Sequence, residues 1–153
     1  MSQDIVTGIW AAHLLSVFYM TGLIWFVQVV HYPLMNRVQG AAYTEFQRAH
    51  MRRTTWVVGP IMLLEAGTAA ALLYARPPFV PFSAVLLNML LLLLIWISTA
   101  VWQVPCHGKL LQGFNEQAHR RLVATNWIRT ALWTARSVLW LSLLWRVQPA
   151  AFD

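Results

Sequence analysis

The sequence predicts an all-α protein, an antiparallel four-helix transmembrane bundle, and three observations carry that prediction. Four apolar runs, at about 5–31, 54–75, 82–104 and 122–147, are each long enough to cross a hydrocarbon core. The chain is 59% apolar and only 10% charged, too little charge to cover the surface of a water-soluble protein of 153 residues. The connections between runs are short, which favours antiparallel neighbours within one domain, 1–153.

The first run, 5–31, measures roughly 40 Å as a helix, enough to cross with tilt. Tyr32-Pro33 predicts its stop. Within it His13 and His31 share a face at roughly 27 Å separation, with Gln28 one turn from His31. Residues 41–53 hold Glu45, Arg48, His50, Arg52 and Arg53 and read as a short amphipathic helix at headgroup depth, leading into the second run. Pro60 should kink that run, and Glu65 follows near mid-membrane. Arg76-Pro77-Pro78 and Pro81 make a stiff turn.

The third run is the most apolar, with Asn88, Ser98, Thr99 and Gln103 as its polar exceptions, and Pro105 predicts its end. The loop that follows holds His107, Lys109, Glu116 and His119, where Glu116 and His119 read as a surface pair. On the fourth run Asn126, Arg129, Trp133, Arg136 and Trp140 recur at the spacing of one helical side, while Leu132, Leu139 and Leu143 fall mostly elsewhere. Arginine at hydrocarbon depth needs a partner, so that side should face the other helices.

Net charge is +6, but the basic residues gather in the first and third loops, as Arg37, Arg48, Arg52, Arg53, Lys109, Arg120 and Arg121, against Arg76 and Arg146 on the other side. This is a topology signal rather than a phosphate-binding patch, so no nucleic-acid partner is expected and both termini should be non-cytoplasmic. Met1–Asp4 has no basic residue and the first run is too long for a cleavable signal, so the first helix itself should insert. The expected location is the bacterial inner membrane. The single Cys106 excludes an internal disulfide or a CxxC pair and reads as inert.

Depth along each helix decides which polar groups can meet. Gln28, His31, Gln103, His107, Asn126 and Arg129 fall within roughly the inner 12 Å, with His50 just below as a headgroup contact, so every run except the second should contribute directly. Glu65 lies about 16 Å deep, between Arg129 and Arg136, within reach of an ion pair with either. A sparser outer level holds His13, Thr68 and Asn88. Trp10, Trp56, Trp102 and Trp145 suit the interfaces, whereas Trp25, Trp96, Trp133 and Trp140 are deeper and could pack the bundle or wall a flat lipophilic ligand.

Converging imidazoles point to a haem or transition metal held by His31 and His107, with Gln28, Gln103, Asn126 and Arg129 orienting a substrate or cofactor. Arg129 and Glu65 are the catalytic candidates of such a membrane oxidoreductase, Glu65 serving instead as the counter-charge of Arg136 if the two pair. Three other readings stand beside it. The polar groups could simply hydrogen-bond and hold the helices together. The chain could conduct protons, ions or a small molecule through His31, Glu65 and His13. It could also be an accessory subunit whose Arg136 faces the carboxylate of a membrane-protein partner. The partners expected are the bilayer, a lipophilic small molecule, and a second copy or another membrane protein.

Two stretches, His31-Tyr-Pro-Leu with Phe46, His50-Met-Arg-Arg, Pro60 and Glu65, and Gln103-Val-Pro-Cys-His107 with Thr125-Asn-Trp-Ile-Arg-Thr130, Trp133 and Arg136, resemble a group of bacterial four-span membrane proteins without an assigned activity. Ala12-His13 leading through Gly22 to His31, then Met51-x-Arg53 ahead of Pro60, is similar in layout to HemJ-type protoporphyrinogen oxidases. The chain lacks the Pro-Arg pair that this family has between its histidines and the histidine-lysine element of its third span. The resemblance implies a tetrapyrrole or a redox role.

Overall fold

The computed structural model describes residues 1–38 and 40–147. Residues 148–153, the tail of the predicted domain, lie outside them, as does the side chain of Arg146. All regular structure among the described residues is helical, in four long rods: α1 (Gln3–Arg37), α2 (Ala42–Leu72), α3 (Phe82–Leu110) and α4 (Glu116–Val147). Three of them, α1 to α3, are long and apolar enough to cross a membrane. Rod α4 is long enough but richer in charge; two of its arginines, Arg129 and Arg136, face inward, while Arg120 and Arg121 are exposed.

Both predicted proline stops are corrected. Rod α1 runs through Pro33 to Arg37, and α3 runs through Pro105 to Leu110. A proline has no N–H for the carbonyl four residues back, and its ring crowds that carbonyl. Each rod absorbs this with one wide π turn, Val27–His31 or Thr99–Gln103, just before the proline. The Tyr32 N–H bonds the Val27 carbonyl and the Val104 N–H bonds the Thr99 carbonyl, one residue further back than in an α-helix. The helix therefore widens instead of ending.

The predicted headgroup helix at 41–53 is the first third of α2, not a separate element. Nothing between Arg53 and Thr54 breaks the helix, and Pro60 sits inside it. Gly40 (φ 66°) and Gly113 (φ 133°) take the left-handed backbone that the two basic turns require. Asn115 starts α4 by accepting the Ala118 N–H on its side-chain oxygen at 2.8 Å.

Rod α1 packs closely on α2 and α4, and α3 packs on α4, whereas α2 and α3 touch sparsely. The interior is unusually polar and the surface unusually apolar. His13, Gln47, Glu65, Asn88, Asn126 and Arg136 are wholly buried, while Leu15, Leu63, Leu90, Leu93 and Ile97 are exposed. That inversion fits contact with a lipid bilayer rather than water. Met20, Ile24, Met62, Ile95 and Trp133 form a dry apolar layer at mid-height, with a polar level on either side.

Candidate functional site

The level nearer the chain termini holds a buried ion pair, in which Arg136 Nη2 and Asn88 Nδ2 have no partner among the described residues. Arg136 donates through Nη1 to Glu65 at 2.6 Å, and both side chains are fully buried. Trp133 Nε1 donates to the same carboxylate at 3.1 Å. Asn88 Oδ1 accepts from Arg136 Nε at 3.0 Å and from Trp140 Nε1 at 3.1 Å. His13 lies against Thr68 Oγ1 at 2.9 Å and Asn88 Oδ1 at 3.4 Å. Arg136 thus faces inward, not toward a partner chain, and the Glu65 carboxylate accepts from Arg136 and Trp133.

The level nearer the basic turns is assembled differently. Asn126 donates to Gln28 at 2.8 Å, and Gln28 donates to the Val123 carbonyl at 3.2 Å. Gln103 donates to Thr125 at 3.2 Å. Both glutamines come from the π turns, so the widened turns of α1 and α3 aim them at the same stretch of α4. Arg129, 7% exposed, donates to Asn126 at 3.2 Å and stands over the Trp133 ring at 5.2 Å. Its Nε has no partner, and no carboxylate pairs with it among the described residues.

The histidines meet, through residues assigned elsewhere from the sequence. His31 Nε2 lies 2.8 Å from His50 Nδ1 with the rings stacked, and the His50 and His107 ring centres are 5.5 Å apart. His107 Nε2 lies 3.0 Å from the Tyr32 hydroxyl, and its Nδ1 lies 3.0 Å from the Gln47 amide. The Gln47 amide N–H donates to Nδ1, so the imidazole proton sits on Nε2 and is donated to the Tyr32 oxygen. Gln47 Oε1 has no partner among the described residues.

Residues 41–53, expected at headgroup depth, thus bring Gln47 and His50 into this level, and the second run itself contributes Thr54, 3.1 Å from His50 Nδ1. Reading α2 as one helix puts Tyr43, Gln47, His50 and Thr54 on a single side at three-and-four spacing, which was the available signal. His119, taken for a surface residue paired with Glu116, is buried and donates to the Tyr32 carbonyl at 2.8 Å; Glu116 pairs with Arg120 instead. It extends the inward stripe of α4 by two turns. Leu143, expected away from that stripe, packs with Trp140 in the core.

His31 and His107, the predicted metal pair, are separated by the His50 ring, and both nitrogens of His107 are occupied by neighbours. Among the described residues no group of three or more His, Cys, Asp and Glu side chains is placed to hold a metal ion. Cys106 is buried with Tyr32, Met35 and Leu110 in an apolar cluster.

Beside this level lies a cavity of about 210 Å³ between the rods. Its polar end is formed by Tyr32, His50, Gln103, His107 and Arg129, and its walls by apolar groups such as Met20, Ile24, Val27 and Val58. The cavity is smaller than the roughly 300–1,000 Å³ of sites that enclose a drug-sized ligand, so the His31/His107 arrangement does not fit an enclosed haem. Fold and site together define a helical protein with three membrane-compatible rods and a polar cavity between them. No protein-family model, no curated protein and no solved structure matches the chain.

Proposed function

We propose that the chain is an antiparallel four-span bundle of the bacterial inner membrane that binds a small molecule in this cavity. Support for the bundle comes from which residues share a level. His13 meets Thr68 and Asn88 at one end, and Tyr32 meets His107 and His119 at the other, so chain direction alternates from rod to rod. Rod α4 crosses as the fourth span because its two deep arginines are turned inward. The basic residues cluster at the Tyr32 end, which is the cytoplasmic half, with both termini on the other side.

The observation that carries the binding reading is the cavity itself: apolar walls with the polar side chains of Tyr32, His50, Gln103, His107 and Arg129 gathered at one end. The layer of Met20, Met62, Ile95 and Trp133 lies between the two levels, and a proton path through both would have to pass the Trp133 indole N–H and the Thr21 and Ser137 hydroxyls beside it. Native mass spectrometry of the detergent-purified protein tests the reading. A small molecule should accompany the wild type and be lost in Val58→Trp, which fills the cavity. Equal occupancy in both, or none in either, counts against it. A Soret band abolished in His31→Ala or His107→Ala would replace it with the haem reading.

A further inference from the structure

We propose that the cavity takes the head of an anionic amphiphile drawn sideways from the bilayer, with its charge at Arg129 and its chain leaving between α2 and α3. This rests on the cavity being a binding site and names what it binds. The first observation is the unmatched charge. A guanidinium that is 7% exposed, with an unpartnered Nε and no carboxylate, is costly in a membrane interior unless a counter-ion joins it. Glu65, the only buried glutamate among the described residues, is already bound to Arg136. The Tyr32 hydroxyl and His50 line the same end and add polar contacts for an oxyanion, and His50 Nε2 makes no hydrogen bond among the described residues.

The second observation is size. At about 30 Å³ per water-sized group, a cavity of about 210 Å³ holds roughly seven such groups. That accommodates a carboxylate or phosphate head and the first few carbons of a chain, and the rest must lie outside.

The third is the way out. Rods α2 and α3 are the neighbours that pack least, and the cavity reaches the surface between them at Thr55 and Val104, which line it and are also exposed. The surface beside this mouth is apolar on one side, with Trp56, Val57 and Val101 exposed, and basic on the other, at Arg48 and Arg52, so it opens where acyl chains meet anionic headgroups. Gly59 lines the cavity on the α2 side, where a Cβ would meet nothing closer than Thr55 at 4.0 Å. The next residue, Pro60, removes the hydrogen bond that would have tied the Trp56 carbonyl into the helix. A missing side chain and a missing bond thus coincide at one seam.

Equilibrium binding to protein in nanodiscs tests this with labelled oleate, lysophosphatidate and oleyl alcohol. The wild type should bind at least one of the two acids. Arg129→Gln should weaken that binding by about tenfold or more, Arg129→Lys by less, and the neutral alcohol should not distinguish them. Which acid binds tells a carboxylate from a phosphate head. Gly59→Phe, which plugs the mouth and leaves Arg129 intact, should also reduce binding and keeps the test alive if Arg129→Gln does not fold. Acids that bind equally to wild type, Arg129→Gln and Gly59→Phe overturn the proposal. So does full displacement by chloride with no amphiphile bound, which makes the site one for an inorganic anion. If neither acid binds while the native spectrum still shows a molecule that Val58→Trp removes, the amphiphile is wrong and the binding site stands. If that molecule is missing too, both fall.

Discussion

Arg136 and Arg129 lie seven residues apart on the same side of one helix, and they are treated in opposite ways. Arg136 is closed in by Glu65 and Asn88, each contact at 3.0 Å or less. Arg129 has an amide neighbour, an indole face and a cavity, but no anion. A membrane bundle can therefore use the same residue type as a rivet or as a receptor. What decides is whether a carboxylate of matching depth sits on the facing rod. Rod α2 supplies one opposite Arg136, and opposite Arg129 it supplies Thr54, Val58 and a glycine.

The comparison breaks first at the rivet. Removing one partner of a buried pair leaves the other charge uncompensated, so Arg136→Met or Glu65→Ala should cost about 3–5 kcal/mol in thermal unfolding in detergent. The double variant Glu65→Leu/Arg136→Met should recover most of that loss. It should not recover all of it, because Trp133 Nε1 and Asn88 Oδ1 each lose a partner. If the double variant is as unstable as the singles, the level is held by packing that both substitutions damage, and the pair is not the rivet.

The receptor arginine should respond with the opposite sign. In delipidated protein Arg129→Met removes an unmatched buried charge and replaces it with a side chain suited to the Trp133 face. Stability should stay within about 1 kcal/mol of wild type or rise. A loss as large as that of Arg136→Met would mean that the two arginines do the same job. Of intermediate size, His119→Phe should cost about 0.5–1.5 kcal/mol, because it removes one hydrogen bond to the Tyr32 carbonyl, which still accepts from the Met35 N–H.

Much of this difference was legible in the sequence, and the illegible part has one cause. Helical spacing alone groups Asn126, Arg129, Trp133, Arg136 and Trp140, and depth alone places Glu65 within reach of both arginines. Spacing could not choose between them, since the pairing depends on how α2 rotates against α4. The three apolar rods were equally plain. His50 and His119 were misread and Tyr32 and Gln47 passed over, because Pro33 looked like an end, the fourth run looked as if it began at 122 and the basic stretch before Thr54 looked like a surface helix. Each misreading cut a rod short and moved its last polar residues out of the interior. Two π turns hide the continuity, because they leave no residue pattern beyond a proline after an apolar run.

The smallest expected effect sharpens the contrast most. Glu116 and Arg120 approach to 2.6 Å, the same separation as Glu65 and Arg136, but their side chains are 68% and 75% exposed rather than buried. Distance would rank the two pairs equal. Solvent does not, because water and salt screen the outer pair, and holding two long side chains in one geometry offsets most of its gain. Glu116→Ala should therefore shift stability by no more than about 0.5 kcal/mol, and raising the salt should erase that shift. The effect of Glu65→Ala should persist unchanged at high salt, since counter-ions do not reach a wholly buried carboxylate. Measuring both variants at low and high ionic strength separates burial from proximity as the source of the stabilisation. Equal salt sensitivity would show that the inner level is wet, and the division into a closed and an open half would go with it.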